Sequence, residues 1–341
     1  MAVLNKIIEP EAFRLKGDSA VSAPEVAGRK MLEPAAAGLS HVSVVIVNYF
    51  AGVGLRDCVR SALKQSGQVV VVDNSASEPE DNTLDILRAE FANDSRLMIL
   101  PQLSNLGFAV ACNVGAGAAS GEWLLFLNPD CVLADGAVSK MLKAMHAHPE
   151  AGMAGGLLLN PDGSEQPGGR RAVPTPWRSF VRAFGFSRLE HRYPRLFSSY
   201  ELHGEPLPMG PEPIEAISGA CMFVRESAIN EVGLLDEGYF MHCEDLDWCM
   251  RFRRIGWQVL FVPDAHVTHE KGTCSHARPL FVEWHKHKGM IRFYRQHFSH
   301  QYPGLLMLMV IFGVWFRFSL ISVSKLLKRT PVDLGKLRGV L

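Results

Sequence analysis

The chain has 341 residues, 48 % of them hydrophobic, which is enough for one large domain or two ordinary ones around a real core. Lysine plus arginine and aspartate plus glutamate both number 35, so the overall basic charge that nucleic-acid-binding proteins use is absent and no nucleic-acid partner is expected. The seven cysteines are odd in number and scattered, several of them in apolar runs, which predicts buried free thiols in a reducing compartment and no disulfides.

The first 40 residues show no sustained hydrophobic periodicity and are rich in Ala, Pro, Gly and Glu. This composition predicts a mobile leader ahead of the fold. Glu9, Glu11 and Asp18 interrupt the stretch where a signal peptide would have its apolar core, so we expect a protein that is not exported.

Between residues 42 and 159, strand patterns and helix patterns alternate. The predicted strands are 42–47, 69–72, 97–100, 123–127 and 152–159, and the predicted helices are 55–64, 83–91, 105–120 and 136–146. A parallel strand pair needs a crossover between its members, so this alternation predicts a doubly wound, mostly parallel α/β sheet with flanking helices. The helix over 105–120 has almost no bulky side chain after Phe108, so it could approach a sheet or a ligand closely.

The apolar strand 123–127 ends abruptly in Asn128, Pro129 and Asp130. Proline donates no ladder hydrogen bond, so the strand must stop with Asp130 just beyond its carboxyl edge, where open parallel sheets bind ligands. A carboxylate there can hold a divalent cation that shields a diphosphate. The alternative is an Asn-Pro-Asp turn that only closes a buried strand.

Asp73 ends the second predicted strand beside the same crevice. Its carboxylate could accept the imide N–H that uracil and thymine offer and cytosine does not. The alternative role is a local Asx turn formed by Asp73, Asn74 and Ser75.

The second half of the chain is less regular. From 160 to 213 the pattern gives way to Pro, Gly, Arg and aromatic residues, and a loop this long in a compact domain is usually functional. Ordered signals resume at 215–225, at a helix near 245–255, at a strand over 258–262 and at a helix over 281–298.

Three carboxylates, Glu244, Asp245 and Asp247, crowd the first turn of the predicted helix near 245–255. Such crowding can raise a pKa toward the range that a general base needs. The alternative is structural: acidic residues are stabilised at a helix amino end, and Asp247 can pair with Arg251 one turn later.

Histidines follow the strand over 258–262. A zinc site built from His266, His269, Cys274 and His276 matches no standard structural spacing, and His269 alone in a mixed carboxylate and nitrogen shell for manganese fits better. The chain contains no G-x-G-x-x-G after a strand, no G-x-x-x-x-G-K-[ST] and no G-x-S-x-G, which disfavours dinucleotide, phosphate-loop and α/β-hydrolase sites.

Six motifs occur in order between about residues 41 and 275. They are V-S-V-V-I-V-N-Y at 42–49, V-V-D-N-S at 71–75, N-L-G-F-A-V-A-C-N-V-G at 105–115, L-N-P-D at 127–130, S-G-A-C-M-F-V-R at 218–225 and G-L-L-D-E-G-Y-F-M-H-C-E-D-L-D-W-C-M-R at 233–251. Together they resemble the family 2 glycosyltransferases, and within these the rhamnosyltransferase-like branch.

The resemblance implies a GT-A fold, a nucleotide-sugar donor, a divalent metal (Mn²⁺ or Mg²⁺) and inversion at the anomeric carbon. By position it implies that Asp245 is the catalytic base beside Glu244, and that Asp130, with His269, binds the metal. The residues that it implies for the nucleotide sugar are Asn48, Asp73, which would read the base, Asn105, Gly107 and Asn128. Many members have Asp where this chain has Asn128, so we expect a modest metal affinity.

We therefore expect a glycosyltransferase domain over 41–275, with a nucleotide-sugar-binding half at 41–159 and an acceptor and catalytic half at 160–275. The expected reaction moves a deoxyhexose such as rhamnose, from a dTDP- or UDP-sugar, to a hydroxyl of a glycan or polyprenyl-linked acceptor in cell-surface polysaccharide assembly. The alternatives are a sugar nucleotidyltransferase and a non-catalytic sugar-binding module.

The C-terminal part, 276–341, is expected to be helical. Residues 305–316 carry no charge, and Arg317 then falls on the same helical face as Ser324 and Lys328. This amphipathic arrangement, followed by basic residues, predicts that 303–329 lies on the inner face of the cell membrane as a peripheral anchor. The alternative is a buried core helix with a similar stripe.

Overall fold

The computed structural model describes residues 38–75, 83–197, 199–270 and 279–328. Most of the predicted leader, and also Cys274 and His276, lie outside these residues. The strands, in chain order, are β1 (Val42–Asn48), β2 (Gln68–Asp73), β3 (Leu97–Pro101), β4 (Trp123–Leu127), β5 (Cys131–Leu133), β6 (Ala151–Leu159), β7 (Arg170–Arg171), β8 (Glu212–Pro213), β9 (Ala216–Ile217), β10 (Cys221–Arg225) and β11 (Gln258–His269). The helices are α1 (Val53–Leu63), α2 (Thr83–Glu90), α3 (Phe108–Ala118), α4 (Ala137–Ala147), α5 (Pro176–Ala183), α6 (Pro194–Phe197), α7 (Glu226–Val232), α8 (Glu244–Arg254), α9 (Pro279–Phe298) and α10 (Leu305–Lys328).

The main sheet has the strand order β3-β2-β1-β4-β10-β6-β11-β5, with β8 paired to β11. Strands β1, β2, β3 and β4 are parallel to one another, and β6 is parallel to β11. The predicted doubly wound, mostly parallel sheet is therefore confirmed. Strand β10 lies antiparallel between β4 and β6, a placement that the strand and helix pattern alone does not reveal.

Strand β1 shows why the centre of the sheet is apolar on both faces. Val44 and Ile46 are fully buried in the layer that contains α1 and α4, whereas Val45 and Val47 are buried in the layer that contains α3 and α8. Each such fully buried aliphatic side chain contributes roughly 1.5–3 kcal/mol. The continuous apolar runs in the sequence are a consequence of helices covering both faces.

Helix α3 lies unusually close to the sheet. A Cβ placed on Gly115 would be 2.3 Å from Cγ1 of Val45, so only glycine allows this approach. The expectation that the small-residue helix could pack closely is confirmed for the sheet. The helix begins at Phe108 rather than at 105, because Gly107 has a φ of 84° that a right-handed helix excludes.

Two other boundaries differ from the sequence prediction. Strand β11 continues to His269, well past residue 262, because its residues from 264 to 269 pass through a register shift and then pair with β6 and β5. The segment over 160–213 is not a bare loop, since it contains β7, α5, α6 and β8. These elements are too short for a periodic pattern to reveal them.

Helices α9 and α10 pack against each other through polar contacts and through rings. Arg317 Nη1 lies 3.0 Å from Nε2 of His287, and Lys325 Nζ lies 3.0 Å from Oε1 of Glu283. The rings of Trp284 and Trp315 are 4.9 Å apart. The polar face of α10 is therefore turned toward the protein.

The opposite face of α10 is apolar and exposed. Its large exposed side chains include Leu308, Met309, Phe312, Phe316, Leu320, Val323 and Leu327. Among the described residues, 305–327 is the one helix long and apolar enough to cross a membrane, with a mean hydropathy of 2.1 and only 11 % of its most apolar stretch buried. The alternative interpretation of this segment, a buried core helix, is therefore wrong.

Candidate active site

The carboxyl edge of the sheet brings most of the predicted site residues to one side of the molecule. Because β1, β2 and β4 are parallel, they end at the same edge of the sheet. Asn48 and Asp73 are the last residues of β1 and β2, and Asn128 directly follows β4. Antiparallel β10 begins at this edge, so the turn before it, which contains Gly219, lies there too. The backbone N–H of Asn128 donates to the carbonyl of Ala220 at 2.9 Å, which links the two segments.

Asp73 forms a buried hydrogen-bond network. Its Oδ1 accepts from Nδ2 of Asn48 at 2.6 Å, from Oγ of Ser75 at 2.6 Å and from the Ser75 backbone N–H at 3.2 Å. Asn48 is the register partner of Asp73 in neighbouring strands. The Asx turn is thus present, and the same bonds fix the carboxylate in one orientation.

Asn105 and Gly107 join this network to the segment before α8. The side-chain oxygen of Asn105 accepts from the Gly107 N–H at 2.9 Å, and Nδ2 of Asn74 donates to the Gly107 carbonyl at 3.2 Å. A Cβ on Gly107 would lie 2.6 Å from the carbonyl oxygen of Phe240. Residue 107 must therefore be glycine for the strand ends of the first half to meet the α8 segment.

Asp130 and His269 form the candidate metal site. Oδ1 of Asp130 lies 3.1 Å from Nε2 of His269, and both side chains are buried. Nδ1 of His269 is 2.6 Å from Oε1 of Gln166, which can only accept, so Nδ1 carries a proton and Nε2 is the ring nitrogen nearest to Asp130. Asp130 Oδ1 has no hydrogen-bond donor among the described residues.

Two facing acceptors repel each other unless a cation or a proton lies between them. Carboxylate oxygen and imidazole nitrogen are ligands that Mn²⁺ accepts, so the pair fits a divalent metal. Asn128 lies at the rim, with Nδ2 3.5 Å from Nε2 of His269. Cys131 is also near, but its thiol is turned toward the Ala220 carbonyl and burial raises the pKa of the thiol well above its usual range, so it is a poor ligand.

The zinc alternative is not supported by the described histidines. His266 is exposed, whereas His269 is buried and three residues further along β11, so the two rings face different surroundings. The other two residues of that hypothesis, Cys274 and His276, lie outside the described residues.

Helix α8 begins with a strained turn that buries its three carboxylates. His242 and Cys243 have φ values of 64° and 73°, which are uncommon for residues other than glycine. The turn points Glu244 and Asp245 inward, and each of these two carboxylates then meets a different environment.

Asp245 is held from three sides. Its Oδ2 accepts from Nη2 of Arg171 and from the Gly219 N–H at 2.9 Å, and its Oδ1 accepts from the Leu246 N–H at 2.8 Å. A Cβ on Gly219 would be 3.3 Å from that of Asp245, so the turn before β10 packs directly on the carboxylate. The side chain has one defined position at the sheet edge.

Glu244 has the opposite surroundings. It is buried, and its Oε2 has no hydrogen-bond partner among the described residues. Burial, together with the neighbouring charge of Asp245, raises the pKa of Glu244 to about 8. Glu244 therefore carries its proton at neutral pH.

Asp247 is a structural anchor. It is fully buried, and its two oxygens lie 2.8 Å from Nε of Arg251 and 2.7 Å from Nε2 of His297 in α9. Nδ1 of His297 in turn is 3.0 Å from Nη2 of Arg254. The predicted pair between Asp247 and Arg251 is confirmed. The Asp247 carboxylate also binds His297 and so holds α8 against α9.

Sequence reasoning missed the partners that fix the site. Arg171, Gln166 and Gly219 were not singled out, although they hold Asp245 and His269 in place. Arg171 lies 74 positions before Asp245, in a stretch with many arginines, and nothing in its surroundings marks it. Only the fold reveals such a pair.

The chain is also similar in sequence to known glycosyltransferases. The family model described as Glycosyl transferase family 2 matches residues 43–232. A curated relative, the N-acetylglucosaminyl-diphospho-decaprenol L-rhamnosyltransferase of Mycobacterium tuberculosis, is 31 % identical over 242 residues, which cover 67 % of this chain and 75 % of the relative.

Two solved structures share the fold at low sequence identity. GalNAc-T7, crystallised with UDP, GalNAc and Mn²⁺, is 16 % identical with a TM-score of 0.53, and the match covers 74 % of this chain and 47 % of that one. The mannosyltransferase PcManGT of Pyrobaculum calidifontis, in complex with GDP-Man and Mn²⁺, is 13 % identical with a TM-score of 0.51, covering 87 % of this chain and 78 % of that one.

Proposed function

Since this chain belongs to glycosyl transferase family 2, has the GT-A fold and resembles the family's rhamnosyltransferases, we propose that it transfers a deoxyhexose with inversion to a lipid-linked acceptor. The proposed donor is dTDP-rhamnose or a related dTDP- or UDP-sugar, and the proposed acceptor is a hydroxyl of a polyprenyl-linked glycan. The name of the mycobacterial relative, with its diphospho-decaprenol acceptor, supports the choice of donor and acceptor.

The observation that carries the proposal is the meeting of three sets of groups at one sheet edge. These are the Asp73 network, the pair of Asp130 and His269, and the carboxylates at the start of α8. A nucleotide sugar needs these three features: a contact for the base, a counter-charge for the diphosphate and a base beside the anomeric carbon.

Asp245 is the proposed catalytic base. Direct displacement at the anomeric carbon needs one carboxylate to accept the proton of the attacking hydroxyl, unlike the two-carboxylate device of hydrolases. Arg171 and the Gly219 N–H orient the Asp245 carboxylate, and Glu244 keeps its own proton because its pKa is raised to about 8. Of the adjacent pair, Asp245 is then the member that is available to take a proton.

The donor is proposed to lie along the strand ends of the half formed by 41–159. Asp73, oriented by Asn48, would accept the imide N–H of uracil or thymine. Asn105 and Gly107 shape the neighbouring loop, and Asn128 lies at the rim of the metal pair. The acceptor would enter from the half formed by 160–275, which contributes Arg171 and α8.

Asp130 and His269 are proposed to hold Mn²⁺ or Mg²⁺. When bound, the ion would supply positive charge that stabilises the departing nucleoside diphosphate. The chain's own contribution is to keep the Asp130 oxygen and the His269 Nε2 facing each other, through the bond from Nδ1 to Gln166.

Helix α10 is proposed to lie in the inner face of the cell membrane rather than to cross it. Its polar residues Arg317 and Lys325 are bound to His287 and Glu283 of α9, so a spanning α10 would draw a highly charged α9 into the bilayer with it. Its apolar face is outward and free to enter the headgroup region. A peripheral location on the cytoplasmic side would keep a lipid-linked acceptor within reach of Asp245.

Analysis of the nucleotide product tests the proposal. The purified protein is incubated with dTDP-rhamnose, Mn²⁺ and a polyprenyl-diphospho-N-acetylglucosamine acceptor, and we expect free dTDP together with a lengthened lipid-linked glycan. Release of pyrophosphate would instead indicate a sugar nucleotidyltransferase. Binding of the donor without any turnover would indicate a sugar-binding module.

A further inference from the structure

The segment from Pro176 to Phe197 is rich in arginine and aromatic residues that have no role in the proposed reaction. It contains one acidic residue, Glu190. Its arginines are Arg178, Arg182, Arg188, Arg192 and Arg195, and its aromatic residues are Trp177, Phe180, Phe184, Phe186, Tyr193 and Phe197. We call it the arginine–aromatic segment.

The rings of this segment form an exposed cluster. Phe184 is 60 % and Tyr193 48 % exposed, and Phe180 and Phe186 are exposed as well. Ring centroids are 4.6 Å apart for Phe180 and Phe184 and 6.2 Å apart for Phe186 and Phe197. Contiguous apolar patches of this kind on a protein surface mark sites of contact with another molecule or a membrane.

The cluster is not exposed because the segment is loosely held. The Thr175 hydroxyl caps α5 by accepting from the Arg178 N–H at 3.1 Å, and Arg178 Nη1 is 2.9 Å from Oε2 of Glu215. Ser179 is 2.7 Å from the Tyr294 hydroxyl of α9. One side of α5 is thus fastened to the domain, which leaves the other side to present rings outward.

The outward side also carries positive charge. Arg192 lies over the ring of Tyr193 at 5.8 Å, and Arg188, four residues earlier, is exposed. Aromatic rings combined with arginine suit the boundary between a bilayer and water, where rings enter the headgroup region and guanidinium groups meet anionic phosphates. This charge complementarity favours an anionic phospholipid surface as the partner.

The segment and α10 are both attached to α9. The Ser179 hydroxyl of α5 contacts the Tyr294 hydroxyl of α9 at 2.7 Å, and α9 packs against α10 through the rings of Trp284 and Trp315. The arginine–aromatic segment and α10 are therefore held to the same helix of the domain.

We propose that the arginine–aromatic segment is a second membrane-contacting surface, which binds anionic phospholipid headgroups beside α10. This inference rests on the proposed peripheral location and adds a second point of attachment to it. Two points fix the orientation of the domain, which one helix alone cannot do. The segment begins five residues after Arg171, so the lipid contact is linked through β7 to the group that orients Asp245.

Vesicle flotation of the full chain tests the inference. We compare vesicles containing phosphatidylglycerol with vesicles of phosphatidylcholine alone. The variants are Phe184→Ser with Tyr193→Ser, and Arg188→Glu with Arg192→Glu. The matched controls, Ile255→Ser and Arg88→Glu, change exposed residues outside the segment and α10. Thermal melting checks that each variant is folded.

Both segment variants should bind the anionic vesicles at least about tenfold more weakly than the wild type, since each basic residue near the surface contributes to the attraction. The control variants should bind like the wild type. Hydrogen exchange of the wild type should also show added protection over 184–193 when anionic vesicles are present. The α10 variant Phe312→Ser with Phe316→Ser shows how far vesicle binding falls when the contact of α10 with the membrane is lost.

The outcomes separate the two proposals. If the wild type binds anionic vesicles and only the α10 variant is weakened, the second surface is refuted while the peripheral location stands. If the wild type does not bind such vesicles, both fail. If the segment variants abolish self-association of the protein and leave vesicle binding unchanged, the cluster is a protein interface and the inference is wrong.

Discussion

The two halves of the site hold their carboxylates in different ways. Asp73 is bound by Asn48, its register partner on the adjacent strand, and by Ser75 two residues later. Asp245 is bound by Arg171 of the short strand β7 and by Gly219 in the turn before β10. The network around Asp73 thus follows from sheet register, whereas the network around Asp245 depends on segments that are distant in sequence.

The difference has a physical basis. Parallel strands place their ends side by side at one edge of the sheet, so strand pairing alone brings the polar residues at those ends together. A helix amino end has no such neighbours, and its buried carboxylates need partners brought from elsewhere. The carboxylates at the start of α8 should therefore be the more sensitive to substitutions far away in sequence, and the following predictions test this contrast.

The largest effect is expected at Asp245, where Asp245→Asn keeps the shape of the side chain and removes its ability to accept a proton. Turnover should fall by roughly two to four orders of magnitude while donor affinity stays nearly unchanged. Steady-state kinetics with calorimetric donor binding measures both. The exposed Glu226→Gln serves as a control, and near-normal turnover of Asp245→Asn would show that Asp245 is not the base.

Loss of the anchor below the site should cost stability rather than chemistry. Asp247→Ala leaves Arg251 and His297 without their common carboxylate, and breaking a buried pair of this kind costs about 3–5 kcal/mol. Urea unfolding measures the change in the free energy of unfolding. A change within the error of the extrapolation would mean that α8 is held to α9 by its apolar contacts alone.

Glu244 should give the folded protein a pH-dependent stability. Because its pKa is raised to about 8 from a value near 4.5 in the unfolded chain, the folded state keeps a proton that the unfolded state releases. The free energy of unfolding should then fall as pH rises from about 5 to 8, by at most about 1.4 kcal/mol per pH unit. Glu244→Gln should remove this slope, and a variant that keeps the full slope would show that another group causes it.

The smallest effect is expected at Asp130, where only the metal-dependent part of donor binding should change. Asp130→Ala should abolish the part of donor affinity that depends on Mn²⁺ and leave the metal-independent part unchanged. Calorimetric titration of the donor with and without Mn²⁺ measures this, and Asp264→Ala, which changes an exposed aspartate on β11, is the control. If a chelator leaves wild-type activity untouched, the metal assignment is wrong.

The sequence predicts the first half far better than the second. Continuous runs such as 123–127 define buried strands, and Pro129 marks where β4 must end, so the position of Asp130 beyond the sheet edge follows from local rules. The pairing of Asp130 with His269 does not follow, because it requires β11 to run past residue 262 through a register shift. The sequence also gives no sign that β10 lies between β4 and β6.

The acidic cluster shows the same limit at single residues. Spacing alone predicts that Asp247 pairs with Arg251, because a helix brings residues four apart together. It cannot separate the roles of Glu244 and Asp245, which differ only through their surroundings: a buried oxygen with no partner among the described residues on one, and Arg171 on the other. Tertiary contacts between distant segments decide which carboxylate keeps its proton.

The central claim is that one base at the start of α8 and one donor site at the strand ends act together in a single inverting displacement. The most direct test is the anomeric configuration of the sugar in the lipid-linked product, determined by nuclear magnetic resonance for the reaction with dTDP-rhamnose. A single inverting displacement gives one product whose configuration is opposite to that of the donor, and this is the result we expect. A product that retains the configuration of the donor would contradict it.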